Sequence, residues 1–201
     1  MSDRFKLFVL GALFSGLTVV SGPVLSQDGG WYVGLNFGQT KVKDVDCTGA
    51  TTCDDKDKAW GIFGGYLFNK NFGVELGYAD LGKASLGGTD PFLGTFTTTF
   101  EASGFELSGV GILPISDKFS VYGKLGLFMW DLDAKSTSSV LGSASLSEDG
   151  TDLTFAIGAR FHFTKNLAVQ LQWQRYKDIG DDATTGKSDI DVLGLGVVFR
   201  F

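Results

Sequence analysis

One histidine, two cysteines and three prolines stand among 201 residues, and each scarcity closes off a class of chemistry. A four-ligand zinc site needs clustered Cys and His, and His162 is far in sequence from Cys47 and Cys53, so no metal centre is expected. Basic tracts are missing too. With 17 Lys+Arg against 23 Asp+Glu and a formal net charge of −6, nucleic acid is not an expected partner. Apolar runs long enough for a spanning helix, about 20 residues, are also lacking. The run that comes nearest, Leu7–Val20, follows Arg4 and Lys6 and precedes Ser21–Ser26. That order of charged, apolar and small residues is a secretory signal peptide, with cleavage expected after Ser26. Residues 27–201 then form one domain. Losing Arg4, Lys6 and Asp3 moves its formal charge to −7. In an exported chain, Cys47 and Cys53 are expected to form one disulfide across a small loop, with free thiols as the alternative.

What the chain does have is 29 glycines and 18 phenylalanines, arranged in alternation. No amphipathic helix follows the leader. Eight segments instead repeat with the two-residue period of a strand: 31–42, 59–68, 72–82, 100–113, 119–132, 151–163, 167–177 and 189–201. Most reach the roughly 9–11 residues of a tilted membrane strand rather than the 5–6 of a soluble one. Their connections alternate. Asn69–Asn71, Pro114–Lys118 and Thr164–Asn166 are short, whereas residues 43–58, 83–99, 133–150 and 178–188 are longer and polar. Short turns at one end and long loops at the other form the pattern of a transmembrane barrel.

The alternation also selects a face. Leu193, Leu195, Val197, Phe199 and Phe201 oppose Val192, Gly194, Gly196, Val198 and Arg200; Val169, Leu171 and Trp173 oppose Gln170, Gln172 and Gln174. One face is bulky and apolar, and the other is expected to be small or polar. The interior of an eight-stranded barrel is only wide enough for side chains, so the small and polar set belongs inside. The bulky set then faces lipid; in water it would be an aggregation hazard. The expected fold is therefore all-β, an eight-stranded antiparallel up-and-down transmembrane β-barrel with short periplasmic turns and four longer extracellular loops. A soluble lipocalin-like carrier would need the opposite polarity.

The stretches "GWYVGLNFGQTKV", "FGGYLFNKNFGVELGYADLG", "YGKLGLFMWDLDAK" and "LGLGVVFRF" resemble the OmpA-type transmembrane β-barrel family. The resemblance implies an integral protein of the Gram-negative outer membrane, with no cofactor. It implies lipid and lipopolysaccharide as surroundings, the barrel assembly machinery as a partner in biogenesis, and a monomer. The terminal aromatics Phe199 and Phe201 resemble that machinery's recognition signal. The peptidoglycan-binding domain of the family is not expected after Phe201. By parity the inward polar set is Glu75, Glu106, Lys124, Arg160, Gln170, Gln172 and Gln174. Glu75 is expected to pair with Arg160 or Lys124. The resemblance points to an internal salt bridge that blocks or gates a narrow water path. Gln170 stands where related barrels can carry a charge.

His162 is the one candidate general base. It falls beside the Thr164–Asn166 turn with inward parity, away from the outer rim where a lipid-modifying hydrolase would work, so no enzyme is expected. The first loop carries Asp44, Asp46, Asp54, Asp55 and Asp57 but lacks the Gly and Glu of a calcium loop. Phe92, Leu93 and Phe96 in the second loop form a candidate patch for an extracellular ligand, or else extend a strand beyond the membrane. The third, Ser-rich loop reads as mobile or as a protruding hairpin. A structural and surface-display role is expected first, a narrow gated pore second, and an adhesin or receptor acting through the loops third.

Overall fold

A computed structural model describes residues 29–43, 52–54, 56–90, 94–140, 142–181 and 186–201, with the backbone alone for 52–54 and 90. The expected leader, Cys47 and most of the acidic first loop lie outside the described residues, as do Phe92 and Leu93; the expected disulfide therefore does as well.

Among the described residues nine strands run in chain order: β1 (Gly30–Val42), β2 (Thr52–Asp54), β3 (Lys56–Leu67), β4 (Phe72–Asp90), β5 (Gly94–Pro114), β6 (Phe119–Ser138), β7 (Gly142–His162), β8 (Leu167–Ile179) and β9 (Ser188–Arg200). Eight of them pair antiparallel with their sequence neighbours, and β1 pairs with β9 from Tyr32↔Arg200 to Val42↔Ile190. The result is a closed up-and-down barrel, as a chain in hydrocarbon requires. β2 is a short addition from the first loop, paired with β4.

The three short turns share one device. The side chains of Asn69, Ser116 and Thr164 accept hydrogen bonds from the backbone N–H of Phe72, Phe119 and Leu167 respectively. Each polar side chain thus closes its own turn. Two hairpins at the other end are longer than the alternation suggests. β4 and β5 stay paired up to Asp90↔Gly94, past a register shift at Asp80/Lys83 where Gly82 has φ 78°. β6 and β7 stay paired from Phe119↔Phe161 to Ser138↔Gly142. Most of 83–99 and 133–150 is therefore strand, not loop. Phe96 sits in β5 opposite Ser138, which settles in favour of strand extension there.

The outward set is as expected. Trp31, Leu195 and Phe201 are 65%, 65% and 71% exposed, and Leu125, Leu127, Leu171 and Val197 share this face. On β6 the apolar outer face runs from Phe119 to Met129 before Asp131. Ten residues climbing about 2.5 Å each give a belt of about 25 Å, the height of an outer-membrane barrel's apolar band. Aromatic contacts mark its upper edge, with Trp60–Tyr78 and Tyr78–Phe105 ring centroids 5.9 and 5.3 Å apart. From Met129 to Ser138 the β6–β7 hairpin rises about 20 Å more, clear of that belt.

The inner face departs from expectation in its upper half. Leu81, Phe128, Trp130, Leu132, Tyr176, Ile179 and Ile190 form a buried apolar cluster inside the barrel, so the inward face there is bulky rather than small or polar. Its parity was readable, since Phe128 and Trp130 alternate in step with Lys124. Glycines make room for such groups. Gly38 and Gly194 are cross-strand neighbours, and a Cβ on Gly38 would stand 2.8 Å from the Gly194 Cα and 2.6 Å from the Leu193 carbonyl oxygen.

Candidate functional site: the polar plug of the barrel

All seven inward polar residues expected from the alternation are buried inside the barrel. Lys124, rising on β6, aims its Nζ between two carboxylates: 2.8 Å from Glu75 Oε1 on β4 and 3.4 Å from Glu106 Oε1 on β5. Tyr32 Oη donates to the other Glu75 oxygen at 3.1 Å. Glu106 also accepts from Ser108 Oγ, and from Gln174 Nε2 at 2.6 Å. Gln174 Nε2 reaches Thr154 Oγ1 at 2.9 Å, and its oxygen accepts from Gln172 Nε2 at 2.6 Å. Tyr122 Oη donates to Gln172 at 2.8 Å. Six strands thus contribute to one network around an ammonium and two carboxylates.

Of the two partners expected for Glu75, Lys124 is the one it takes and Arg160 is held elsewhere. Its Nε and Nη2 donate to Gln170 Oε1 at 3.2 and 2.8 Å, and Gln170 Nε2 passes the chain to Asn36 Oδ1 at 2.8 Å. The guanidinium lies 4.8 Å from the Tyr122 ring centroid and 5.8 Å from that of Tyr32. Glu75 therefore takes Lys124 as its ion-pair partner, while Arg160 is held by an amide and two aromatic faces. A guanidinium is planar and more weakly hydrated than an ammonium, which suits it to such aromatic faces. Sequence reasoning missed Tyr32, Tyr122, Asn36, Ser108 and Thr154, although their inward parity was visible.

Every buried polar side-chain atom among the described residues has a hydrogen-bond partner. Such a network fixes its members in place, because an unpaired polar group in a dry interior is costly. Around Glu75, Glu106, Lys124, Gln172 and Gln174 only about 50 Å³ of free space remains. Below lies a vestibule of about 1130 Å³ lined by Tyr32, Ser120, Arg160, His162 and Arg200 and open toward the short turns; above lies a pocket of about 330 Å³ lined by Leu81, Phe100, Leu132, Ile179 and Ile190. The plug separates two wider mouths.

His162 lies at the lower mouth, as its position in sequence suggests. Its Nε2 is 3.2 Å from Ser120 Oγ, a neighbour the alternation alone did not bring to notice. Among the described residues no group of three or more His, Cys, Asp and Glu is placed to hold a metal ion.

A closed eight-stranded barrel with an apolar belt outside and a hydrogen-bonded polar filling inside defines an integral outer-membrane β-barrel protein. Residues 26–201 match the OmpA-like transmembrane domain model, and the chain belongs to that family, in the bacterial outer membrane. It is 33% identical over 181 residues to outer membrane protein A of Shigella dysenteriae, covering 87% of this chain and 49% of the relative. With outer membrane protein A of Klebsiella pneumoniae it is 32% identical over 184 residues, covering 87% and 52%. The chain spans about half the length of these relatives. Among solved structures, Neisserial surface protein A has a TM-score of 0.58 at 15% identity, covering 85% of this chain and 97% of that one. Ail, the attachment invasion locus protein of Yersinia pestis solved with a heparin analogue, has a TM-score of 0.55 at 21% identity, covering 87% and 99%. These two likenesses concern the fold alone.

Proposed function

We propose that this outer-membrane barrel serves first as a structural element of the envelope that displays its extracellular hairpins. The observation that carries this reading is the pairing of β6 with β7 up to Ser138↔Gly142. That pairing builds a stiff projection above a barrel whose centre is filled. Removing residues 134–147 tests it. A display role predicts a shortened protein that still folds and inserts but loses whatever surface binding or envelope phenotype the full chain has. A shortened chain indistinguishable from the full one in cells would defeat it. An adhesin or receptor role is the finer form of the same reading, with the partner meeting these hairpins.

A second reading, a narrow gated pore, is favoured by the ammonium of Lys124 held between Glu75 and Glu106 with wider mouths on either side. An ion pair of this kind can block a path in one arrangement and clear it in another. In planar bilayers, Glu75→Ala and Arg160→Ala should change the conductance; if both variants match the parent, the gate does not exist. Phe199 and Phe201 pack edge to face outside the barrel, 5.3 Å between centroids. We take them as the signal read by the assembly machinery, and the barrel as a monomer without enzymatic activity.

A further inference from the structure

Each of the three short turns carries a lysine: Lys70 between β3 and β4, Lys118 between β5 and β6, and Lys165 between β7 and β8. The fourth quarter of that mouth, where β9 meets β1, carries Arg200. All four line the lower vestibule, and among the described residues none of them is in an ion pair. Arg200 is anchored by neutral groups instead. Its Nη2 donates to the Gly29 carbonyl oxygen at 2.9 Å, and its own carbonyl oxygen accepts from Asn166 Nδ2 at 2.6 Å. The mouth is thus ringed by one cation from each hairpin end.

Arg160 stands at the roof of the same space. It is 5% exposed, and it too is in no ion pair among the described residues. A cation taken out of water without a carboxylate is costly. Ser120 is its cross-strand neighbour, and His162 lies two residues nearer the mouth; Ser120 Oγ and His162 Nε2 are 3.2 Å apart. Asp117 is the one acidic side chain in the lining. Asp28 precedes Gly29, outside the described residues. Counting both, a carboxylate at Phe201 and the net −1 of the plug against Lys70, Lys118, Lys165, Arg160 and Arg200 still leaves the cations in excess. A ring of basic side chains recruits anions, and low-dielectric walls focus its field. Guanidinium groups match the oxygens of a phosphate better than they match a spherical ion.

We propose that the lower vestibule is a binding site for a small phosphate-bearing anion, seated under Arg160 beside Ser120 and His162. The ring of Lys70, Lys118, Lys165 and Arg200 draws it in. With only about 50 Å³ free around the plug, the anion is held there rather than passed on. A phosphate group belongs equally to a soluble ion and to a phospholipid headgroup beside the rim. The place of Arg160, inside the wall and above the mouth, selects the soluble form.

Amide NMR of the folded full chain in uncharged maltoside micelles tests this, with inorganic phosphate replacing chloride at constant ionic strength. Saturable shifts should appear at Ser120, His162 and Ala168. Arg160→Gln should raise the half-saturating phosphate at least about tenfold, the loss of one charge-assisted contact, while Lys83→Gln at the far mouth should leave it unchanged. Heat-dependent gel mobility checks that each variant is folded. Should Arg160→Gln fail to fold, Arg200→Gln/Lys118→Gln/Lys165→Gln at the open mouth gives the same decision, because removing the ring must weaken binding. A second arm dopes the micelles with phosphatidylglycerol in phosphate-free buffer, which should leave Ser120 and His162 unmoved. Shifts confined to the turn amides, binding that survives both sets of substitutions, or lipid that moves Ser120 and His162 as phosphate does would overturn the proposal.

Discussion

Replacing Lys124 with methionine removes the one ammonium shared by Glu75 and Glu106 and leaves its volume nearly filled. The three groups carry a net charge of −1, and the variant carries −2. Contacts of 2.8 and 3.4 Å to the same nitrogen keep the two bonded carboxylate oxygens within roughly 6 Å of each other. At an effective dielectric of about 20, their mutual repulsion is then about 3 kcal/mol or more. That agrees with the about 3–5 kcal/mol typical of removing one partner from a buried pair. The assay is urea unfolding in phosphatidylcholine vesicles, followed by tryptophan fluorescence and checked by heat-dependent gel mobility. Lys124→Met should lose about 3–5 kcal/mol, and adding Glu75→Gln and Glu106→Gln should restore most of it by removing the stranded charges. A loss below about 1 kcal/mol, or no recovery in the triple variant, would refute the view that charge pairing rather than shape holds this layer together.

Two further predictions follow from other parts of the barrel. Gly38→Ala should cost about 1–3 kcal/mol by the same unfolding assay, because the added methyl meets backbone of β9 that cannot rotate aside. At the rim, above the apolar belt, the hydrogen bonds from Arg175 hold the Asp191 carboxyl below its ordinary range. Its folded value then lies below its unfolded one, so its contribution to stability is present at neutral pH and is lost as pH falls through the folded value. The stability difference between the parent and Asp191→Asn should accordingly shrink on acidification.

The eight strands and the inward polar set were legible because a barrel's face assignment is local: parity along each strand decides it, and Gln170, Gln172 and Gln174 carry it openly. Partner choice was not. Glu75, Arg160 and Lys124 come from three strands, and deciding which meet requires the stagger between strands, which a single segment does not encode. The upper hairpins were hidden for a different reason. Residues 83–99 and 133–150 are rich in Gly, Ser and Thr, a composition that reads as loop, yet backbone pairing through Thr98↔Ser136 and Lys135↔Ser145 needs no apolar alternation above the membrane. Phe128 and Trp130 show the limit of the rule that a small barrel is polar within. Where glycines such as Gly104 and Gly150 stand on either side of Trp130, a narrow interior accepts a large ring.

The central claim is that Val169, Leu171 and Trp173 face lipid while Gln170, Gln172 and Gln174 fill the barrel. Cys47 and Cys53 would be replaced by serine, and a spin label placed singly at positions 168 through 174 in lipid vesicles. Collisions with membrane-dissolved oxygen should then rise at 169, 171 and 173 and fall at 168, 170, 172 and 174. A flat profile, or one with the opposite parity, would contradict the account.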